Sequence, residues 1–292
     1  MSIPMNHSCV ECFLLKRLAF LRQHGTPEQA TAGIKKIFAA IADAPEDMDS
    51  AWLGAEVDAQ MCDDLGISRD FMQAEKALSN QYVLSRLDTV RSRIAQAPDR
   101  VFRALQFAVL GNYIDFSALH GQVSFAVLDE MLDKVAEIVF GESDYESFCR
   151  DLQHGGSLLY ITDNAGEIGF DRLLAEEIAS AYPQVDITFC VRGDVVSNDA
   201  TRADAEAVGI PFPVIDSGCA IGGTVEKLLS PEAKTALENA RIILAKGMGN
   251  TESLYGCGHN VYYAFLVKCP RLMEFFNKEK MTPMFIREGN YG

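Results

Sequence analysis

From Gly155 onward, short apolar runs alternate with helix-like segments, and this alternation limits the chain to few folds. Residues 157–162 read Ser-Leu-Leu-Tyr-Ile-Thr, a nearly unbroken apolar run of the kind a strand shows when both faces are covered. A helical segment over about 168–181 follows, then a second run from Asp186 to Val191 and a weaker third from Phe212 to Ile215. Ser230-Pro231-Glu232 opens another helix. Arg241 to Lys246 is a fourth strand and Val261 to Lys268 a fifth. Strands separated by helices require crossover connections, so the expected fold class is α/β, a mainly parallel sheet between helical layers.

The first half has the helical period instead. Phe13, Leu14, Leu18 and Leu21 recur at helical spacing, and Thr26-Pro27-Glu28 is a start signal for the stripe Ala30, Ile34, Ile37, Phe38 and Ile41. Further helices are predicted over about 69–79, 81–96, 99–111 and 123–140, with Asp99 as a candidate cap. The expected organisation is a helical region over 1–154, packed on or inserted beside an α/β/α domain over 155–292.

Charge narrows the partners. The chain has 292 residues with 26 Lys+Arg against 41 Asp+Glu, a formal balance of −15. That disfavours nucleic acid, which needs clustered cations, and an anionic membrane surface. A small phosphorylated molecule is still compatible, because one metal or a few local cations reverse the field inside a cleft. No secretory leader or membrane-length apolar run is evident. The eight scattered cysteines need no pairing in a chain this long, so a cytoplasmic location is expected.

Ligands of open α/β sheets bind beyond the carboxyl ends of the strands. There the sequence places Asp163-Asn164-Ala165-Gly166-Glu167, then Arg192-Gly193-Asp194 leading to Ser197-Asn198-Asp199. Asp216-Ser217-Gly218 with Gly222-Gly223-Thr224 comes next, followed by Lys246-Gly247-Met248-Gly249-Asn250-Thr251-Glu252 and finally Lys268. Any one of these has a plainer use as a helix cap or a turn; their convergence on one edge is what suggests a site. Asp163, Asn164 and Asp199 are hard oxygen donors suited to Mg²⁺ or Mn²⁺. Lys246 and Lys268 are positioned to neutralise phosphate, and glycine-rich turns offer backbone N–H donors. Phosphate-ester hydrolysis is the chemistry implied. Neither a Walker motif nor a GxGxxG after the first strand is present.

Taken in order, Asp163-Asn164-Ala165-Gly166-Glu167, Arg192-Gly193 with Asn198-Asp199, Lys246-Gly247 with Asn250-x-Glu252, and Lys268-Cys269-Pro270 resemble the family catalogued as domain of unknown function 89, the metal-dependent damage-control phosphatases. Gly111-Asn112-Tyr113-Ile114-Asp115 also matches, and Cys9-Val10-Glu11-Cys12 is similar to the archaeal and bacterial branch. The likeness covers about residues 9–270. It implies a Rossmann-like three-layer α/β/α domain plus an all-helical region, and a divalent ion (Mg, Mn, Co or Ni) held by Asp163, Asn164 and Asp199. It also implies a small phosphorylated metabolite as substrate. Asn112, Asp115, Glu167, Asn250, Glu252 and Lys268 fall in motifs lining the site, with Lys268 the best match to a phosphate-binding lysine. Either Glu167 or Asp115 could orient the attacking water, and a covalent route through Asp163 is also open. Met248 and Gly222 depart from the common pattern, in loops expected to shape the substrate pocket.

Two alternatives are a methyltransferase using S-adenosylmethionine and a non-catalytic metabolite-binding protein. The Cys9/Cys12 pair admits a structural or pocket-edge role, a metal site or a redox role.

Overall fold

The computed structural model describes residues 3–45, 48–115 and 123–289. Eight helices come first: α1 (His7–His24), α2 (Pro27–Asp43), α3 (Ser50–Leu65), α4 (Gln73–Leu84), α5 (Leu87–Ala95), α6 (Arg100–Gly111), α7 (Phe125–Asp133) and α8 (Glu142–His154). The sheet and its crossovers follow as β1 (Gly156–Ile161), α9 (Glu167–Ala181), β2 (Val185–Val191), α10 (Arg202–Ala207), β3 (Val214–Asp216), α11 (Pro231–Asn239), β4 (Ile242–Lys246), α12 (Gly247–Leu254), β5 (Val261–Leu266), α13 (Pro270–Phe276) and β6 (Pro283–Arg287).

Strand order is β3-β2-β1-β4-β5-β6. The first five strands run parallel and β6 pairs antiparallel with β5. The expected α/β class and mainly parallel sheet are therefore what the chain forms. Order reverses at β1, which has β2 on one side and β4 on the other. Loops leaving β1, β2 and β4 thus diverge around one crevice at the carboxyl edge, the place where such sheets bind ligands.

Side-chain alternation assigns the two faces. Leu158, Tyr160, Phe189, Leu244, Tyr262 and Phe285 join one core with α4–α10. Leu159, Ile161, Ile243, Ala245, Tyr263 and Phe265 join a second core under α11–α13. Helices of the first half are therefore part of the sheet's covering layer: Phe107 of α6 and Phe148 of α8 lie in the same core as the strands. A third, smaller cluster (Phe13, Leu21, Ile37, Leu53, Met61) holds α1–α3 together.

Boundaries shift modestly from expectation. The third strand is Val214–Asp216 rather than Phe212 to Ile215, because Pro213 has no N–H to give a parallel ladder. The 123–140 segment is helical only over Phe125–Asp133, with a short 3₁₀ turn at Val135–Glu137. Helices α3, α8, α10, α12 and α13 and strand β6 were not anticipated. Among the described residues, no helix is long and apolar enough to cross a membrane.

Candidate active site

Beyond β1 the chain runs through Thr162 into Asp163-Asn164-Ala165-Gly166 and enters α9 at Glu167. The loop after β2 returns to meet it. Ala200 N donates to Asp163 O (2.7 Å), Ala165 N donates to Asn198 O (2.8 Å), and Asn164 and Asp199 form an antiparallel bridge. The two segments holding Asp163, Asn164 and Asp199 are therefore laced together by backbone bonds.

From β4 the chain turns sharply into α12 at Gly247, where φ is +81°. A Cβ at Gly247 would lie 2.0 Å from Asp163 Oδ2, so only glycine lets α12 start this close to the carboxylate.

Asp163 Oδ2 accepts from Asn112 Nδ2 (2.9 Å) and Asn164 Nδ2 (2.7 Å). Asn112 Nδ2 also reaches Glu167 Oε1 (3.2 Å) and Oε2 (3.0 Å), while its Oδ1 accepts from Leu266 N (3.0 Å). On the other side, Arg192 Nε donates to Asp199 Oδ2 (2.7 Å), and its Nη1 donates to Gly223 O and Asn250 Oδ1 (both 3.1 Å). Arg192 Nη2 is buried without a hydrogen-bond partner and lies 3.8 Å from Asp163 Oδ1. Lys268 Nζ donates to Asn112 O (2.6 Å) and Asp115 Oδ2 (2.7 Å).

The expected residues divide into two groups. Asp163, Asn164, Asp199, Asp115 and Lys268 meet at the crevice, and Asn112 and Asn250 are wholly buried between them as connectors. Asn250 Nδ2 is spent on Thr162 O (3.0 Å) and Lys246 O (2.6 Å), its Oδ1 on Arg192 and Thr224. Lys246, expected to neutralise phosphate, is fully enclosed, and its ammonium bonds Glu167 Oε1 (2.7 Å), Asp171 Oδ1 (2.5 Å) and Ala108 O (2.9 Å). Glu167 is enclosed too, with both oxygens occupied by Asn112, Asn164 and Lys246. Glu252 turns away from this group, toward Ser50 of α3 (Oγ to Oε2, 2.7 Å) and the Cys269 thiol.

Asp171 was not anticipated as a site member, and Arg192, though placed at the ligand edge, was given no role. Arg192 is the first residue past β2, so its position at the ligand edge was readable. Asp171 sits four residues after Glu167 on one face of α9, a spacing that puts both carboxylates before one cation.

Burial shifts the charges. Asp163 is held well above the usual carboxylate range, first by desolvation and then by Asp199, Glu167 and Asp115. Asp199 is raised by burial against the pull of Arg192. Asp171 is pushed up to about 7 by burial, with Lys246 opposing. Arg192 and Lys246 are desolvated as well, yet the carboxylates beside them hold both above their ordinary values.

Within this cluster, five carboxylates (Asp115, Asp163, Glu167, Asp171, Asp199) face three cations (Arg192, Lys246, Lys268). Counted as formal charges, the excess equals that of one divalent ion, and without such an ion burial and this crowding hold Asp163 above the usual carboxylate range. Among the described residues no three His, Cys, Asp or Glu side chains form a closed cage. The donors at the crevice are two carboxylates and an amide, which suits an ion that keeps several positions for water and substrate. The residues fit such an ion.

A mainly parallel α/β sheet with an acidic, cation-laced crevice at its switch point defines the class, an α/β protein with a polar site at the ligand-binding edge of its sheet. The chain belongs to the damage-control phosphatase ARMT1-like domain family, whose model matches residues 5–282. It is 32% identical over 234 residues to an uncharacterized protein of Methanocaldococcus jannaschii, covering 77% of this chain and 75% of that one. It is also 32% identical over 172 residues to a damage-control phosphatase of Pyrococcus horikoshii, covering 57% of this chain and 58% of the relative. A damage-control phosphatase of Archaeoglobus fulgidus is 28% identical over 208 residues, 70% of each chain. A crystal structure of a DUF89 family protein from Pyrococcus horikoshii superposes with a TM-score of 0.83 at 23% identity, covering 98% of this chain and 99% of that chain; it shows the shared fold.

Proposed function

We propose that this member of the phosphatase family is a divalent-metal-dependent phosphomonoesterase acting on small phosphorylated metabolites. The observation that carries the reading is the carboxylate excess at the crevice, centred on Asp163. Asp163, Asn164 and Asp199 would hold the ion, which when bound would polarise a phosphoryl oxygen and lower the pKa of water. Family membership leaves the methyltransferase alternative without support.

The chain's own groups then take distinct tasks. We assign Lys268, whose ammonium bonds Asn112 O and Asp115 at the crevice, to a phosphate oxygen. Asp115 is the better candidate to orient an attacking water, because Glu167 has no oxygen left to accept a proton. We assign Glu167 and Lys246 to positioning. Together with Asn112 they fix the side of Asp163 that faces away from substrate. Arg192 keeps its buried Nη2 without a hydrogen-bond partner, 3.8 Å from Asp163 Oδ1, which makes it a second candidate donor to a phosphate oxygen.

The test strips the protein with chelator and follows para-nitrophenyl phosphate hydrolysis on adding Mg²⁺, Mn²⁺, Co²⁺ or Ni²⁺. Activity should return with at least one ion, and Asp163→Ala should lower it by roughly 100-fold or more. Chelator-resistant activity, or equal rates in wild type and Asp163→Ala, would refute the metal reading.

A further inference from the structure

Helix α4 contributes three residues to the underside of the crevice that the mechanism does not use. Lys76, Ser79 and Asn80 are all buried, and Lys76 and Asn80 stand one helical turn apart. Asn80 Oδ1 accepts from Gly166 N at 2.7 Å, and its Nδ2 donates to Asp204 Oδ1 at 2.9 Å. Gly166 belongs to the loop of Asp163 and Asn164. Its φ is +79°, and a Cβ there would come within 2.8 Å of Ser79, so that loop lies directly against α4. Asp204 belongs to the other loop's helix. Its Oδ2 takes Thr201 N and Thr201 Oγ1, both at 2.8 Å, and the Lys76 ammonium at 2.7 Å. Thr201 follows Asp199 by two residues.

One amide therefore bridges the two segments that carry the three candidate metal ligands, hydrogen-bonding none of them itself. The chemistry explains why the residue is Asn. Gly166 offers a donor and Asp204 an acceptor, and a single amide supplies the complementary pair. Enclosing a Lys–Asp ion pair beside it is costly compared with apolar packing, so helix docking alone does not account for it.

We propose that Asn80, braced by Asp204 and Lys76, is a positioning residue that sets the spacing of the Asp163–Asn164 loop against Asp199 and so tunes divalent-ion affinity. The inference rests on the metal reading above. Groups one layer behind metal ligands typically change affinity or activity by roughly 10–100-fold when removed.

The experiment measures Mn²⁺ binding to the full chain by electron paramagnetic resonance of free Mn²⁺, with thermal unfolding run alongside. Asn80→Ala should bind Mn²⁺ about tenfold or more weakly while remaining folded. Asn80→Asp should also weaken binding, because its carboxylate faces Asp204. The double exchange of Asn80→Asp with Asp204→Asn should recover affinity to within about threefold of wild type. In it Lys76, four residues away, meets the relocated carboxylate, and the new amide can serve both Thr201 and residue 80. The proposal is overturned if folded Asn80→Ala binds within about twofold of wild type, or if the exchange binds no better than Asn80→Asp alone. Should Asn80→Ala fail to fold, the Asn80→Asp pair of variants decides by the same comparison. If wild type binds no Mn²⁺, the metal reading fails and takes this inference with it. If wild type binds, Asp163→Asn does not and Asn80→Ala is unchanged, only the bracing role fails.

Discussion

Lys246 shows how far a single residue can be read before its neighbours are known. Its place at the end of a strand marks it as a site residue, and the structure keeps it there. The direction of its ammonium depends on Asp171, which comes from another element and sits inside a helix where acids ordinarily face solvent. Lys246→Met is therefore expected to leave Glu167 and Asp171 as uncompensated buried charges and to lower stability by about 3–5 kcal/mol. Urea unfolding of wild type and variant would check this; a lysine needed only for substrate would show an unchanged midpoint. Asn112 gives a sharper test at the same scale. Its Nδ2 meets three oxygens of Asp163 and Glu167, so Asn112→Asp replaces that donor with a third negative charge. Asn112→Asp is expected to be less stable than Asn112→Ala without added metal, and the reverse order of melting temperatures would contradict this account.

Legibility of the elements followed burial. Strands β1, β2, β4 and β5 are covered on both faces, so they appear in the sequence as continuous apolar runs, and α9 and α11 could be placed between them, whereas the short α10 and α12 could not. Helix α3 was legible in principle, since Leu53, Val57 and Met61 recur at helical spacing and Asp49 caps it, but the expected helices do not include it. Strand β6 is an antiparallel edge that begins at a proline, and nothing in its five residues indicates which strand it joins. Of the candidate site, the loops that carry the candidate ligands were readable because each follows a strand. The division between residues facing the crevice and residues bracing it was not readable, because it depends on contacts between elements far apart in sequence. Helix α12 carries a prediction of its own. Gly247→Ala combines a left-handed backbone position with a Cβ placed on top of Asp163 Oδ2. It should displace that carboxylate and lower metal-stimulated phosphatase activity at least about tenfold, while an Ala at exposed Gly258, where φ is +83° but no atom lies within 4 Å, should share only the backbone strain. Equal activity in the two variants would show that the close approach at Gly247 has no functional consequence.

Across the molecule the −15 balance is distributed unevenly, and two of its concentrations respond to solution conditions in different ways. On the metal reading proposed above, the crevice is expected to respond to divalent ions. An ion bound only by the folded state stabilises it by RT ln(1 + [L]/Kd), about 2.7 kcal/mol at a hundredfold excess over Kd, so chelator should lower the melting temperature of wild type but not of Asp163→Asn. The second concentration lies where α1 and α3 dock on α12 and α13. There Ile3 N bonds Glu252 O, Ser50 bonds the Glu252 carboxylate, and Cys269 lies beside it. Burial raises Glu252 to about 7, with Ser50 opposing and Asp49 adding to the rise. The folded state therefore holds this proton more tightly than the unfolded chain, whose Glu releases it near the ordinary 4.5. Its stabilising contribution is complete below about 4.5 and is lost as pH climbs through about 7. Glu252→Gln keeps an acceptor for Ser50 and cannot ionise. Relative to wild type the variant should gain stability between pH 5 and pH 8, on the order of 3 kcal/mol if the whole shift is expressed. Urea unfolding at both pH values with chelator present separates this effect from the crevice, and a stability difference that does not change with pH would mean that Glu252 is ionised in its buried position.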